Sequence, residues 1–526
     1  MIQIEGMEKL TLNTKIEVLI SCAGTGSRMN KVNENLHKAL LPFQDAPILW
    51  HIIDKIPTNK KVGILLGHNS NQIRDFIEIA FPDRHISFVS VNDYASTYSG
   101  TAVSLLNAEN HLADSFWYLP CDGYLDNENS IKLFSNYEQD LLVVAPLTSV
   151  INPLDFTVVE SVENKLNNFT YKSEFKHFQN PLIFTGIMYI KFGKSFLSTL
   201  RGSKELEFVS ALNEDFRLIE IASWRDLGSP GEYEKNSKEN VKYDFSKPDE
   251  VTYLLTKSVI KYDLDIQKIK QKNIKPNITP DVYPSKIRTK GNFLSYAKIE
   301  GQTLYNQLEP QRFSELLKWL NDKLWVREKV ELTKDITEFY QQKTLDRISS
   351  IKTKLPYNLD RCFTGNSGLS LLPSQILESI KWDTVKQNPI SSIIHGDLQF
   401  DNIIYKTSGE FKLIDWRTSF GSQSIYGDLY YDLAKLLGGI YMDYSEIKKN
   451  NFSFNILSGD YAYRFPSCPF YSEILEIFKR YCEENSFNFL KIQYLTAIIY
   501  LNMSPLHNRP FSDLLFFHSL EMLEKS

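Results

Sequence analysis

Apolar and polar positions follow two different rhythms along the chain. From Ile16 to about Tyr233, short apolar runs (IEVLI, VGILLG, ISFVSV, FWYLPCD) take turns with stretches of helical spacing (ILWHIIDKI, IRDFIEIAF, AVSLLNAENHL). Strand and helix in alternation predict an α/β domain, a mostly parallel sheet with helices on both faces. The charged stretch GEYEKNSKENVKYDFSKPDE, Gly231 to Glu250, interrupts that rhythm and predicts a join near residue 240, hence domains over 1–238 and 239–526. Beyond it, TYLLTKSVIKYDL and NFLSYAKIEG read as strands of a small lobe over about 242–305. RFSELLKWLNDKLWV and much of Tyr471 to Ser526 have helical spacing, which predicts a larger helical lobe over about 306–526. Neither a solenoid-period repeat nor a low-complexity tract is present.

Composition narrows the function classes. A chain of 526 residues has room for two to four domains at roughly 100 to 200 residues each. With 42% apolar residues it can bury real cores. A net charge of -5 supplies no global drive toward nucleic acid or anionic lipid, yet leaves room for small basic phosphate pockets. Five cysteines without a CxxC pair indicate neither a disulfide framework nor a zinc site, and suit a reducing compartment. The first twenty residues lack a leader-like core and no run of about 18 apolar residues occurs, so a cytoplasmic protein without a membrane span is expected. The oligomeric state is left open.

Candidate chemistry appears first after the strand Glu17 to Ser21, where Cys22-Ala23-Gly24-Thr25-Gly26-Ser27-Arg28-Met29 is followed by Lys38 in HKALLPF. Glycines after a buried strand let backbone N–H groups of Ala23, Gly24, Gly26 and Ser27 approach a polyphosphate. Arg28 and Lys38 can neutralise charge on an α-phosphate and a departing pyrophosphate. That combination suits attack at a nucleotide's α-phosphorus.

CAGTGSRM and HKALLP resemble the opening motifs of the sugar-nucleotide pyrophosphorylase type of nucleotidyltransferase, a Rossmann-like (GT-A-like) fold. His37 stands where the sugar enzymes have proline and is similar to cytidylyltransferases acting on phosphocholine, which shifts weight slightly toward CTP and alcohol phosphates. The resemblance extends over about 220 residues. It implies that Tyr98-Ser99-Gly100-Thr101-Ala102 lies against the base, with a helix start as the alternative. It further implies that Asp122 in YLPCDG and Asp226 in WRDLGSPGEY hold Mg²⁺, and that Lys172 and the Thr185-Gly186-Ile187 segment meet the acceptor. Strand ends of open α/β sheets are where such ligands bind.

A second constellation runs Ile393-Ile394-His395-Gly396-Asp397-Leu398-Gln399-Phe400-Asp401-Asn402, then Lys412-Leu413-Ile414-Asp415-Trp416. An aspartate five residues before an asparagine, then an aspartate ending another apolar strand, is the set that phosphoryl transfer from ATP requires. Asp397 can accept the proton of an attacking hydroxyl, and Asn402 and Asp415 can hold Mg²⁺. This HGDxxxxN plus IDW pattern resembles the aminoglycoside phosphotransferase and choline kinase family, α+β enzymes with a protein-kinase-like fold, over residues 242 to 526. Asp428 and Asp432 match its GDxxxDLA segment and are expected to brace the loop. Arg417 faces the substrate or forms a surface ion pair. Lys261 in SVIKY is the candidate phosphate-pairing lysine and Lys257 its competitor; no glycine-rich loop precedes them, and no partner glutamate follows. The IDWRTSFG and IYGDLYYDLAKL runs also look like kinase proteins of bacterial capsule clusters. His51, His68, His85, His111 and His177 lack metal-ligand spacing, while His507 and His518 either pack or face the kinase substrate.

Together these features predict a bifunctional enzyme. It phosphorylates a small alcohol or sugar with ATP, then couples the product to a nucleotide, CTP favoured, giving an activated precursor for a surface glycan. A sugar-1-phosphate nucleotidylyltransferase fused to an anomeric kinase, or a chain with one silent half acting as sensor or assembly module, are the alternatives.

Overall fold

The computed structural model describes residues 15–525 apart from 93, 97–99, 127–132, 148–151, 172–177, 203–206, 238–248 and 366–367. The expected join near 240, with Tyr98, Ser99 and Lys172, lies outside the described residues. The chain forms two compact units, one from Met1–Glu239, Pro248–Leu264 and Lys290–Phe293, the other from Asn240–Lys247, Asp265–Thr289 and Leu294–Ser526.

The first unit is built on nine strands: β1 (Ile16–Cys22), β2 (Val62–Leu66), β3 (Ile86–Ser90), β4 (Leu112–Pro120), β5 (Leu141–Pro146), β6 (Thr157–Val162), β7 (Lys165–Tyr171), β8 (Leu182–Ile190) and β9 (Arg217–Glu220). Their order is β3-β2-β1-β4-β8-β5-β9-β7-β6. β3, β2, β1 and β4 run parallel, and their continuous apolar sequences follow from cover on both faces, all five residues of β2 being buried. Beyond β4 the sheet changes character. β8 is antiparallel to both β4 and β5, and β7 to β6 and β9, so the expectation of a mostly parallel sheet holds for one half only. Antiparallel strands were unforeseen because local apolar patterning carries no information about strand direction. Helices α1 (Ile48–Lys55), α2 (Ser70–Ala80) and α3 (Thr101–Asn107) connect the parallel strands, α1 and α2 burying one apolar stripe each.

The hairpin of β10 (Glu250–Leu254) and β11 (Ser258–Asp263) belongs to this first unit, so the expected small lobe of 242–305 is divided between the two units. The reason lies in two tyrosines. Tyr253 donates its hydroxyl to Leu40 O at 2.5 Å and Tyr262 to Asn35 O at 2.9 Å, and both rings are buried in the core under the Lys38 turn. Lys261 is on β11, opposite Thr252.

In the second unit, β12 (Gly301–Thr303), β13 (Ile403–Lys406) and β14 (Phe411–Leu413) form a three-stranded sheet. Helices make up most of the rest: α4 (Pro310–Lys323), α5 (Lys343–Lys354), α6 (Leu429–Tyr441), α7 (Tyr471–Glu484), α8 (Phe489–Met503) and α9 (Phe511–Glu524). Twelve of the thirteen residues of α6 are buried. A helix buried on all sides sits at the centre, its two charged members Asp432 and Lys435 each partnered inside, and α8 packs against it. Among the described residues no helix is long and apolar enough to cross a membrane.

Candidate functional site

At the carboxyl end of β1, the chain must turn sharply over the sheet. Gly26 takes φ 62°, and a Cβ there would stand 3.2 Å from Lys38 Cδ, so glycine is what lets the loop lie on the lysine stem. His37 anchors the turn from inside. Its Nδ1 accepts the Ala39 N–H at 3.1 Å, so Nε2 carries the proton and donates to Cys22 O at 3.1 Å. Burial, and then Lys38 next to it, lower its pKa to about 4, leaving a neutral imidazole. The histidine in place of proline thus ties the Lys38 segment to the end of β1.

Lys38 Nζ reaches across to Asp122 Oδ2 at 2.7 Å. Burial opposes both charges, but each outweighs it for the other: the ammonium is held well above its ordinary range and the carboxyl below its own. Asp122 follows β4, and a two-residue ladder pairs Gly123 with Asp226 and Tyr124 with Arg225. Leu227 N donates to Asp122 O at 2.8 Å, closing the same corner. The two carboxylates therefore meet. A Cβ on Gly228 would stand 2.7 Å from Asp122 Oδ2 and 3.2 Å from Asp226 Oδ1, so only glycine leaves room between them. Burial first, and then the Asp122 charge, raise Asp226 to about 6. Two carboxylates forced together, one just past the end of parallel strand β4 and one on the short antiparallel ladder beside it, are a donor set a divalent cation would satisfy, with remaining positions left for waters and phosphate oxygens. No group of three or more His, Cys, Asp or Glu converges among the described residues.

These residues border a cavity of about 350 Å³ lined by Arg28, Asp122, Asp155, Phe156, Trp224, Asp226 and Lys235 among others. Phe156 and Trp224 form an edge-to-face wall, centroids 5.8 Å apart, and the buried indole N–H of Trp224 has no acceptor among the described residues. Gly186, at φ 82° where the β8–β5 register shifts, lies against Pro120 just ahead of Asp122. Gly100 precedes α3, and Thr101, its first residue, donates its hydroxyl to Glu207. Ala23 is buried, whereas Gly24, Ser27 and Arg28 are exposed at the loop's rim.

In the second unit the loop after the strand Ser391–Ile393 is held from beneath. Asp432 on α6 accepts His395 N and Gly396 N at 2.8 Å each and Trp325 Nε1 at 3.1 Å. Asp428 caps α6 and accepts from Ile390 N and Tyr340. His395, fully buried and lowered to about 4 by burial, bonds Ile414 O at 2.8 Å and so fixes the loop to the strand leading to Asp415. Gly396 sits at φ 83° with room for no Cβ beside Arg417, and Asp415 itself adopts φ 62°. A non-glycine residue in that region is strained, as is common at functional positions. Asn402 Nδ2 donates to Asp397 O at 2.8 Å and lies 3.4 Å from its Oδ2, while Ile414 N donates to Asn402 O, so Asp397, Asn402 and Asp415 share one corner.

Asp397 also has a partner that sequence reading overlooked. Lys435, three residues past Asp432 and 7% exposed, meets Asp397 Oδ1 at 2.8 Å. Burial alone would raise that carboxyl, but Lys435 and then Arg417 hold it well below the carboxylate range. Lys272 and Lys275 were likewise unforeseen: they donate to Trp416 O and Ile394 O, Lys275 from a position 3% exposed. Lys435 lies less than one turn past Asp432 in the DLAKL run, and only its helical phase could have pointed to it.

Comparison with known proteins agrees with the first half. Residues 18–178 match the MobA-like NTP transferase domain family. Proteins named bifunctional protein GlmU are similar over the same part: that of Methanococcus vannielii is 30% identical over 233 residues, and that of Methanococcus maripaludis 28% over 226. In each case 41% of this chain aligns with 52% of the relative, so the chain spans about half the length of the curated relatives it matches. Among solved structures, the inositol-1-phosphate CTP transferase from T. maritima shares 15% identity at a TM-score of 0.36, over 43% of this chain and 96% of that one. UDP-glucose pyrophosphorylase complexed with UDP-glucose shares 16% at 0.36, over 43% and 97%. The N-terminal half thus carries a domain of NTP transferase type.

Proposed function

We propose that the chain is a bifunctional enzyme whose second unit phosphorylates a small alcohol or sugar with ATP and whose first unit transfers a nucleotidyl group, from CTP by preference, to the resulting phosphate. The observation that carries the reading is the meeting of Asp122 and Asp226 around Gly228, beside Lys38 and at the edge of a cavity of about 350 Å³. Mg²⁺ held there would offset charge on the triphosphate. The acceptor's phosphate oxygen attacks the α-phosphorus, the bond to the β-phosphate's bridging oxygen breaks, and Arg28 and Lys38 compensate the charge on departing pyrophosphate. Lys38 must release Asp122 as metal and nucleotide enter.

In the second unit, Asp397 remains ionised at neutral pH and is oriented by Lys435 and by Gln399 Nε2 at 3.2 Å. The acceptor hydroxyl gives its proton to Asp397 as its oxygen bonds to the γ-phosphorus and ADP leaves; Asn402 and Asp415 are the residues that would hold Mg²⁺. Capsule-type surface glycans are the destination that the two motifs suggest for the product.

Purified full-length protein, offered alcohols and sugars with ATP and then each of CTP, UTP, GTP and dTTP, should release pyrophosphate, with the nucleotide product read by mass spectrometry. Asp397→Ala should abolish the phosphorylation and spare transfer to a pre-phosphorylated acceptor; Asp122→Ala should do the reverse. Pyrophosphate release untouched by Asp122→Ala would refute the assignment.

A further inference from the structure

The loop of the second unit is ringed by more positive charge than its carboxylates answer. Arg417 donates Nε to Gly396 O at 3.2 Å, and its guanidinium carbon stands 5.2 Å from the centroid of the Phe339 ring. Lys343 Nζ lies 4.0 Å over that ring. Arg347 follows Lys343 by one turn on α5, hence on the same helix face. Lys435 is spent on Asp397, whereas among the described residues no carboxylate lies within ion-pair distance of Lys343, Arg347 or Arg417.

Gathering like charges costs free energy, and the groups register it. Burial first, and then Arg417, Lys435 and Arg347, lower Lys343 to about 6, while burial and Arg417 lower Arg347. The backbone is also unusual here. Thr337–Gln342 forms a π-helical turn directly before α5, carrying Phe339 and setting the phase of Lys343, and such turns recur at functional sites. Lys343 and Arg417 against the Phe339 ring, with Arg347 one turn along α5, make beside the proposed base a basic site that an anion would complete, and an anion there would restore the charge of Lys343.

Resting on the kinase reading of this loop, we propose that the acceptor carries, besides its reactive hydroxyl, a fixed anionic group, a phosphate or carboxylate, bound by Lys343, Arg347 and Arg417 over Phe339. The nucleotide's terminal phosphate is the other source of such an anion. Mg²⁺ held by Asn402 and Asp415 would meet its charge, so the three further basic side chains exceed what it requires. The anchor is unchanged in the reaction: the hydroxyl oxygen bonds the γ-phosphorus, ADP departs with the broken bond's electron pair, and the proton passes to Asp397.

Two measurements on the full chain test this. First, glycerate is compared with glycerol, and glucose 6-phosphate with glucose, as acceptors in the ATP-dependent reaction. Charged members should exceed their neutral counterparts at least tenfold in kcat/KM, and Lys343→Gln with Arg347→Gln should erase that gap through KM while leaving KM for ATP within about twofold. Lys343→Arg should retain it. Second, inorganic phosphate is titrated calorimetrically into protein saturated with Mg²⁺ and a non-hydrolysable ATP analogue; the double variant should lack one of the wild-type binding events. Neutral acceptors matching charged ones, or phosphate that competes with the analogue, would overturn the proposal. A failed kinase reading has its own signature, analogue binding indifferent to Asp415→Asn. If the double variant misfolds by circular dichroism, Arg347→Gln alone carries the same expectations.

Discussion

Replacing Asp226 by asparagine should stabilise the metal-free protein. In the wild type, burial and the neighbouring Asp122 charge raise the Asp226 carboxyl from 3.8 to about 6. A folded-state pKa above the unfolded one means that the carboxylate opposes folding, increasingly from pH 3.8 to about 6 and constantly beyond. A shift of about two units is worth about 3 kcal/mol, and solvent at the cavity mouth trims this to about 2 kcal/mol. Asparagine removes the charge and retains an oxygen for the Gly228 N–H, which Asp226 Oδ1 accepts at 3.1 Å. Because two units need not unfold together, the assay should be local: hydrogen exchange of β1 and β4 peptides in EDTA. At pH 7.5 the variant should exchange roughly thirtyfold more slowly, the equivalent of about 2 kcal/mol, and the advantage should vanish by about pH 4. Added Mg²⁺ should slow exchange in the wild type only, while nucleotidyl transfer is lost in the variant. Equal exchange at pH 7.5, or an advantage independent of pH, would refute the like-charge account.

Other outcomes follow from the same geometry. Gly228→Ala should cut nucleotidyl transfer at least a hundredfold with little effect on ATP-dependent phosphorylation, since its Cβ would stand 2.7 Å from Asp122 Oδ2; equal loss in both assays would point to misfolding. Lys435→Met should slow phosphoryl transfer at least tenfold and move the acidic limb of its pH–rate profile upward, because Lys435 is the largest influence holding Asp397 low. His37, His395 and His518 are each lowered to about 4 by burial, so each binds a proton more readily when unfolded. Stability should therefore fall as pH drops from 6.5 toward 4, by up to about 3 kcal/mol per histidine, and His37→Gln should flatten part of that slope in thermal melts.

Much of this was legible beforehand because it is local. A turn over a strand end needs glycine, a phosphate loop needs backbone and cations close in sequence, and a buried parallel strand needs an unbroken apolar run. CAGTGSRM, HKALLP and HGDLQFDN satisfy such needs within a dozen residues each, so alternation alone placed β1 to β4 and the motifs at their ends. What tertiary structure decided were relations between distant segments. Strand direction beyond β4, the docking of the Tyr253–Tyr262 hairpin under the Lys38 turn, and the closeness of Asp122 to Asp226 depend on which strands become neighbours, and side-chain periodicity is the same for either direction. Lys435, Lys343 and Arg347 escaped notice for the matching reason. They lie on helices whose sequence phase marks a face, and only packing determines that those faces look onto Asp397 and Phe339.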